Sequence, residues 1–488
     1  MSRQERAALR GARVVVAGLG SSGLAAARAL HEVGARVLAL DSSPQVVERA
    51  DLPPAVERRA VATPDAFAEA ALDGPSGRPD ILVASPGLRP SLPVLRRAVI
   101  AGVPCWSEVE LAWRLQEADP EGLPWLTLTG TNGKTTTVGM LSAILDAAGL
   151  RGPAVGNVGD PVAAVALEGS ADVLAVELSS FQLHLTHTVA PRASACLNIA
   201  PDHIDWHGSY PAYWSAKAKV FDRAERACVY AVADPTTLEM VEQADVQPGA
   251  RAVGVAVGRP QEGQLGLVDG VLTDRAFGSR RPGALALAEL GDLAHLGTGS
   301  SGDLPEHVVA DALTAAALAR AAGVEPDAVA AGLRDYRAGA HRIELVARHD
   351  RVAYVDDSKA TNAHAASASL AAVPAGRAVW VAGGLAKGAR FEDLVLERAD
   401  RLRAVVLIGV DRTPMLEALA RHAPDVPVVE VTAGETEDVM TNAVEAASRL
   451  ARPGDTVLLA PACASMDQFR SYADRGDAFA RAARALGG

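Results

Sequence analysis

The sequence predicts an α/β protein of three domains. Its 488 residues correspond to roughly three domains of 100–200 residues each, and its 49% apolar content can fill a core in each. Residues 13–41 read as strand, glycine loop, helix and strand, and residues 126–137 repeat the strand, glycine loop and helix. Boundaries are expected near 120 and 338, giving domains 1–120, 121–337 and 338–488.

The first domain opens with the strand Arg13-Val14-Val15-Val16-Ala17, the loop Gly18-Leu19-Gly20-Ser21-Ser22-Gly23, an alanine-rich helix and a strand from Arg36 to Leu40 that ends at Asp41. Gly18, Gly20 and Gly23 fit G-x-G-x-x-G, and Asp41 stands where an acid reaches a ribose hydroxyl. Taken alone, this fingerprint suggests NAD. It reports only a pyrophosphate and a ribose, however, and a UDP-sugar presents the same groups. A further strand, Ile81 to Ala84, runs into the loop Ser85-Pro86-Gly87.

In the central domain an apolar strand enters Thr129-Gly130-Thr131-Asn132-Gly133-Lys134-Thr135-Thr136-Thr137. Glycines let backbone N–H groups turn onto phosphate, and the following helix adds its positive end. Lys134 then reaches the outer phosphates and Thr135 ligates Mg²⁺. Leu128 occupies the place of the first glycine in G-x-x-x-x-G-K-[ST], so the loop is the shorter G-x-x-G-K-T. Gly156-Asn157-Val158-Gly159 follows, and then the strand Val173 to Val176 runs into Glu177. An acid at a buried strand end beyond a phosphate loop is placed to hold Mg²⁺. Asp202-His203 and the helix Tyr213 to Phe221, which carries Lys217 and Lys219, come next, and His203 is a candidate for a second cation. Residues 246–302 are expected to form short strands and loops of this domain.

Only five of the 47 basic residues are lysines: Lys134, Lys217, Lys219, Lys359 and Lys387. In so arginine-rich a chain, a lysine marks a place where a compact ammonium cannot be replaced by a planar guanidinium. Lys219 matches no motif and is expected at the surface. A net charge of −12 argues against a nucleic-acid partner. The polar N-terminus and the absence of any run of about 18 apolar residues point away from a leader or membrane insertion, and the cytoplasm is the expected location. Cys105, Cys196, Cys228 and Cys463 have neither metal spacing nor disulfide density, and they are expected to be buried.

Gly130 to Thr136, Glu177 to Leu183, Asp202-His203 and Ser215-Ala216-Lys217 together resemble the Mur ligase family, whose members build the peptidoglycan stem peptide. The resemblance continues through His341-Arg342, Asp356-Asp357-Ser358-Lys359-Ala360-Thr361-Asn362, Gly383-Gly384-Leu385-Ala386-Lys387-Gly388 and Ser465-Met466-Asp467-Gln468-Phe469. Those last three blocks resemble the member that adds D-glutamate.

The resemblance implies a Rossmann-like first domain, a P-loop ATPase-like central domain and a Rossmann-like third domain. It also implies an ATP-dependent ligase with two Mg²⁺ ions that joins D-glutamate to UDP-N-acetylmuramoyl-L-alanine through an acyl phosphate, acting as a monomer with no partner beyond its small-molecule substrates. By the same resemblance Lys134, Glu177, His203 and Lys217 are catalytic. Lys217 would be carbamylated, and would bind metal together with Thr135, Glu177 and His203. ATP would meet Gly130 to Thr136, Arg342 and Asp357. The UDP substrate would meet Ser21, Ser22, Gly23, Asp41, Ser42, Gly87, Asn157, Gln182 and His203, and D-glutamate would meet Lys359, Thr361, Lys387, Ser465 and Tyr472.

Three positions depart from the family pattern. Val308 and Asp311 replace asparagines that contact adenine or lie close to the nucleotide, and Tyr472 stands where a phenylalanine is expected. Within the superfamily folylpolyglutamate synthase is the rival reading, and the first-domain fingerprint argues against it. An NAD oxidoreductase leaves the phosphate loop, Glu177 and Lys387 unexplained, while a nucleotide-binding regulator would bind without turnover.

Overall fold

The computed structural model describes residues 9–74, 77–116, 122–278, 284–297, 304–337, 339–386, 388–431 and 436–486. Lys387, a candidate for D-glutamate, lies outside the described residues. Among the described residues there are three sheets.

The first sheet contains β1 (Arg13–Ala17), β2 (Arg36–Asp41), β3 (Glu57–Ala60), β4 (Ile81–Ala84) and β5 (Cys105–Trp106), all parallel, in the order β3-β2-β1-β4-β5. Burial alternates along the strands. Val14 and Val16 face the cluster built with helices Ser21–Glu32 and Glu108–Gln116. Val15 and Ala17 face the opposite cluster, which includes Phe67, Leu72 and Leu95. A sheet covered on both faces needs apolar residues at consecutive positions, which explains the run Val14-Val15-Val16.

The second sheet contains β6 (Trp125–Thr129), β7 (Ala154–Gly156), β8 (Leu174–Glu177), β9 (Ala193–Cys196), β10 (Ala227–Ala231), β11 (Arg251–Val255), β12 (Gln264–Val268), β13 (Val271–Asp274) and β14 (Leu285–Glu289). Its order is β14-β13-β12-β11-β10-β9-β6-β8-β7, parallel except for the β12–β13 and β13–β14 pairs. The glycine-rich stretch after residue 246 thus supplies β11 to β14, as expected. Gly332, on helix Pro326–Asp335, permits close approach to the helix Lys134–Ala147, because a Cβ there would meet Ile144 Cα at 2.3 Å.

The first two sheets belong to one compact unit, residues 1–289 with 310–336. One apolar cluster runs from Val14 and Leu30 through Val109 to Val162, Val176 and Tyr213. Buried acids pin the same seam. Glu110 Oε2 accepts the amides of His187 and Thr188 at 2.7 and 2.9 Å, and its Oε1 accepts Thr188 Oγ1 and Arg114 Nε at 2.7 and 2.6 Å. Glu108 Oε1 accepts the Ala163 amide at 2.5 Å.

The second unit, residues 290–309 with 337–488, holds β15 (Glu344–His349), β16 (Val352–Asp356), β17 (Ala378–Gly383), β18 (Leu402–Ile408), β19 (Val428–Glu430) and β20 (Thr456–Leu459), in the order β15-β16-β20-β17-β18-β19. Only the β15–β16 pair is antiparallel. Trp380 and Val405 pack on one face, and Val381 and Val406 on the other.

Candidate active site

The carboxyl ends of the first sheet's strands carry the glycine fingerprint at the β1/β4 switch of strand order, where open α/β sheets bind ligands. Gly18 has φ +85°. A Cβ on Gly23 would stand 1.9 Å from Gly18 O, so the third glycine of the fingerprint is needed for helix-to-strand approach. Ser21 and Ser22 begin the helix, Ser42 follows β2, and Gly87 is exposed after β4. Asp41 has a role that the fingerprint alone does not reveal. Its Oδ2 accepts the Leu19 amide at 2.7 Å and its Oδ1 accepts the Ser43 amide at 2.9 Å, so it ties the loops after β1 and β2 together.

Gly133 in the phosphate loop adopts φ +82° and caps the helix Lys134–Ala147. A Cβ there would lie 2.4 Å from Asp311 Oδ1. Asp311, buried at 5% exposure, therefore rests against the loop, while Val308 is buried in the second unit. Thr131 Oγ1 lies 2.9 Å from Tyr213 Oη and accepts the Ala200 amide at 2.9 Å. The Asn132 amide donates to Asn198 Oδ1 at 2.9 Å. Thr135 and Thr136 form the first turn of the helix.

Two ammonium groups converge on one carbonyl. Lys134 Nζ donates to Gly130 O and Thr131 O at 2.8 and 2.9 Å, and Lys217 Nζ donates to the same Gly130 O at 2.7 Å and to Thr129 Oγ1 at 3.1 Å. Burial, and then the charge of Lys134, bring the Lys217 ammonium down to about 7, against weaker opposing effects that include Asp202 and Glu177. The phosphate loop, Lys217, Glu177 and Asp202 thus share one electrostatic neighbourhood.

Glu177 closes β8 at 1% exposure. Its Oε1 accepts Asn157 Nδ2 at 2.8 Å, and its Oε2 is buried with no hydrogen-bond partner. A desolvated carboxylate oxygen left without a donor is costly. A hard cation would supply the missing interaction, so the residues present fit Mg²⁺. Gln182 completes a capping box with Ser179 at the start of the helix Ser180–His184. His203, about half exposed, caps the helix Ile204–His207 from the left-handed region, φ 52°, with Nε2 3.5 Å from Asp202 Oδ2 and its ring 4.7 Å from that of Phe181.

Lys219 corrects the sequence reading. It is half-buried, and its Nζ donates to His184 O at 2.8 Å and to Thr186 O at 3.3 Å. It binds carbonyls that end the helix Ser180–His184, where a cation is favoured. All four cysteines are free and buried, as expected.

In the second unit Asp357, Lys359 and Thr361 follow the carboxyl end of β16, Arg342 precedes its antiparallel neighbour β15, and Ser465 follows β20. Arg342 lies between two residues forced to positive φ, His341 at 64° and Ile343 at 47°, which for β-branched Ile343 is a strained conformation. His341 Nδ1 sits 2.7 Å from Asp356 Oδ2. Asp357 is pushed up to about 6 by burial, against a bond from Ser369 Oγ and the positive charge of Arg342. Lys359 Nζ donates to Tyr472 Oη at 2.9 Å and lies 4.1 Å from that ring's centroid, which gives the hydroxyl absent from phenylalanine a specific partner. The Thr361 amide donates to Lys359 O at 2.8 Å, and buried Ser465 follows Ala464, which pairs with Leu385. Gly384 and Gly409 approach so closely that a Cβ on Gly409 would meet Gly384 N at 2.6 Å.

Sequence reasoning missed Tyr213, Asn198 and Arg475. Tyr213 stands four residues before Lys217, one helical turn away, which was a usable signal. Arg475 is fully buried and donates to Ser358 Oγ, Ser358 O and Cys463 O at 3.0, 2.9 and 3.1 Å. Nothing in its local sequence marks it.

Residues 12–107 match the Mur ligase MurD-like N-terminal domain, 128–258 the Mur ligase middle domain and 341–463 the Mur ligase glutamate ligase domain. The chain is 52% identical over 479 residues to a Streptomyces avermitilis protein named UDP-N-acetylmuramoylalanine--D-glutamate ligase, covering 98% of this chain and 99% of the relative. The chain belongs to the Mur ligase family. A second protein of that name, from Streptomyces coelicolor, is 50% identical over 483 residues, covering 98% of each chain. In fold, this Mur ligase resembles the crystal structure of UDP-N-acetylmuramate-alanine ligase MurC from Thermotoga maritima, with TM-score 0.54, 16% identity, and coverage of 97% of this chain and 100% of the other. The three-domain α/β fold expected from the sequence is thus the fold of the family. Among the described residues no helix is long and apolar enough to cross a membrane.

Proposed function

We propose that this Mur ligase joins D-glutamate to UDP-N-acetylmuramoyl-L-alanine in peptidoglycan precursor synthesis in the cytoplasm, converting ATP to ADP and phosphate. The observation that carries this reading is the likeness to relatives of that name along nearly the whole chain. The geometry supports it from the residues upward.

The γ-phosphoryl group of ATP is transferred to the substrate's terminal carboxylate. The amino group of D-glutamate attacks the resulting acyl phosphate, and the tetrahedral intermediate expels phosphate. The hard step is the approach of a carboxylate to a polyanion. The N–H groups at the start of the helix Lys134–Ala147 receive phosphate oxygens, and Lys134 leaves the Gly130 and Thr131 carbonyls to bind the outer phosphates. Glu177, held by Asn157, and Thr135 would hold Mg²⁺, which would neutralise phosphate charge. His203 and Lys217 would hold a second ion. Lys217 does so after its amine adds CO₂ and loses a proton to become a carbamate, and an ammonium depressed to about 7 supplies the required neutral amine near neutral pH.

Ser21, Ser22, Gly23, Asp41, Ser42 and Gly87 take the UDP part of the substrate, and Asn157, Gln182 and His203 take the muramoyl part. Arg342 and Asp357 contact ATP, and Lys359, Thr361, Lys387, Ser465 and Tyr472 receive D-glutamate. The protein acts as a monomer, with domain boundaries near 120 and 338.

Phosphate release from ATP tests the reading. It is expected to require both UDP-N-acetylmuramoyl-L-alanine and D-glutamate, with L-glutamate ineffective. Release driven by a folate and L-glutamate, or no release at all, would overturn it.

A further inference from the structure

The five loops that leave the carboxyl ends of β1 to β5 are 18–20, 42–43, 61–63, 85–92 and 107, and all are described. Together they hold a single basic residue, Arg89. Its loop rests on the glycine fingerprint: a Cβ on Gly18 would stand 2.8 Å from Ser85 Cβ and 3.8 Å from Leu88 Cδ1. Arg89 therefore issues from the β4 side of the switch point, two residues beyond Gly87.

Its guanidinium is engaged elsewhere. Arg89 Nη2 donates to Asp205 Oδ2 at 3.0 Å, with the two side chains 54% and 48% exposed. Asp205 lies in the short helix Ile204–His207 that His203 caps. The bond thus spans 116 residues and links the first-sheet crevice to the segment carrying the candidate catalytic histidine. An ion pair this exposed holds its partners weakly, because water solvates both ends. The loop has a poor alternative supply of positive charge, since Asp41 brings a carboxylate and the serines only hydroxyls.

Resting on the ligase reading above, we infer that Arg89 is a diphosphate-binding residue, paired with Asp205 in the free protein and exchanged onto the diphosphate of the nucleotide sugar when that substrate enters. A guanidinium offers two parallel N–H donors to phosphate oxygens, and a dianionic diphosphate outcompetes one solvated carboxylate. Breaking the bond to Asp205 also frees the 204–207 segment from the first-domain loop as the sugar passes toward His203.

The test is titration calorimetry of the full chain with UDP-N-acetylmuramoyl-L-alanine, UDP and uridine. Arg89→Ala is expected to weaken both diphosphate compounds about tenfold, as for the loss of one charge-assisted contact, and to leave uridine binding unchanged. Arg89→Lys should restore part of the loss. Asp205→Asn, which removes the competing carboxylate, is expected to bind the diphosphates as tightly as the parent or more tightly. An Arg89→Ala protein that binds UDP like the parent overturns the inference while leaving the ligase reading intact. So does an Asp205→Asn protein weakened as much as Arg89→Ala, because that result makes the pair a structural clasp. A parent protein with no affinity for any of the diphosphates overturns the ligase reading itself.

Discussion

Replacing Lys217 with methionine should abolish turnover and yet change stability in a pH-dependent direction that burial dictates. The side chain is 2% exposed, and its ammonium falls from 10.5 to about 7 on folding. A folded pKa below the unfolded one means that the unfolded chain binds more protons between the two values, so stability rises with pH across that window. The contribution is fully present above 10.5, drains as pH falls and levels off below about 7. From pH 6.5 to 8.5 the parent should gain about 2 kcal/mol from this group, worked from the displacement at about 1.4 kcal/mol per pH unit and discounted for partial ionisation near 7. Methionine cannot titrate. Loss of the bonds to Gly130 O and Thr129 Oγ1 lowers stability at every pH alike, so the slope of the difference is free of it. Urea denaturation of both proteins at a series of pH values, in CO₂-free buffer, reads that slope. A stability difference that stays constant from pH 6.5 to 8.5 would refute the argument that Lys217 is held near neutrality by its surroundings.

Three other substitutions probe separate parts of the account. Gly133→Ala puts a Cβ 2.4 Å from Asp311 Oδ1 at φ +82°. It should cut ATP-dependent phosphate release at least about tenfold, the scale of a misplaced phosphate contact, while calorimetry shows UDP-substrate binding intact. Glu108→Gln keeps the acceptor for Ala163 and removes a carboxyl that burial pushes up to about 7 from 4.5. The parent's contribution is fully present below pH 4.5 and lost as pH rises through about 7, so between pH 5.5 and 8 the glutamine protein should gain about 2 kcal/mol relative to it in urea melts. Arg475→Met strips three buried acceptor atoms of their donor and should lower the stability of the second unit by about 3 kcal/mol. An Arg475→Met protein more stable than the parent would mean that burying the guanidinium, whose pKa falls to about 10, costs more than its bonds return.

The parts of the site visible in the sequence were those written in local spacing. A glycine loop between an apolar strand and a helix, an acid at a strand end and a lysine in an arginine-rich chain each announce their chemistry within a few residues. At these positions Gly133 adopts positive φ and one Glu177 oxygen is buried without a hydrogen-bond partner. What escapes local spacing depends on partners far away in the chain. Asn198 meets Asn132 across 66 positions, and Arg475 meets Ser358 across 117. Lys219 was misjudged for the same reason, because the carbonyls that hold it lie more than 30 positions earlier. The union of the first two sheets in one unit also depends on contacts such as Glu110 to Thr188, 78 positions apart, which no alternation of apolar residues encodes. Spacing singles out Asp41, and its bonds to Leu19 and Ser43 give it a structural task that the fingerprint does not state.

In the proposed reaction the substrate carboxylate becomes an acyl phosphate before the amide forms. UDP-N-acetylmuramoyl-L-alanine labelled with ¹⁸O in its terminal carboxylate, turned over with ATP, Mg²⁺ and D-glutamate, tests it most directly through the mass of the released phosphate. The claim predicts one carboxylate oxygen in each phosphate, because the oxygen that attacks phosphorus departs with it. Unlabelled phosphate alongside normal product would contradict the acyl-phosphate route.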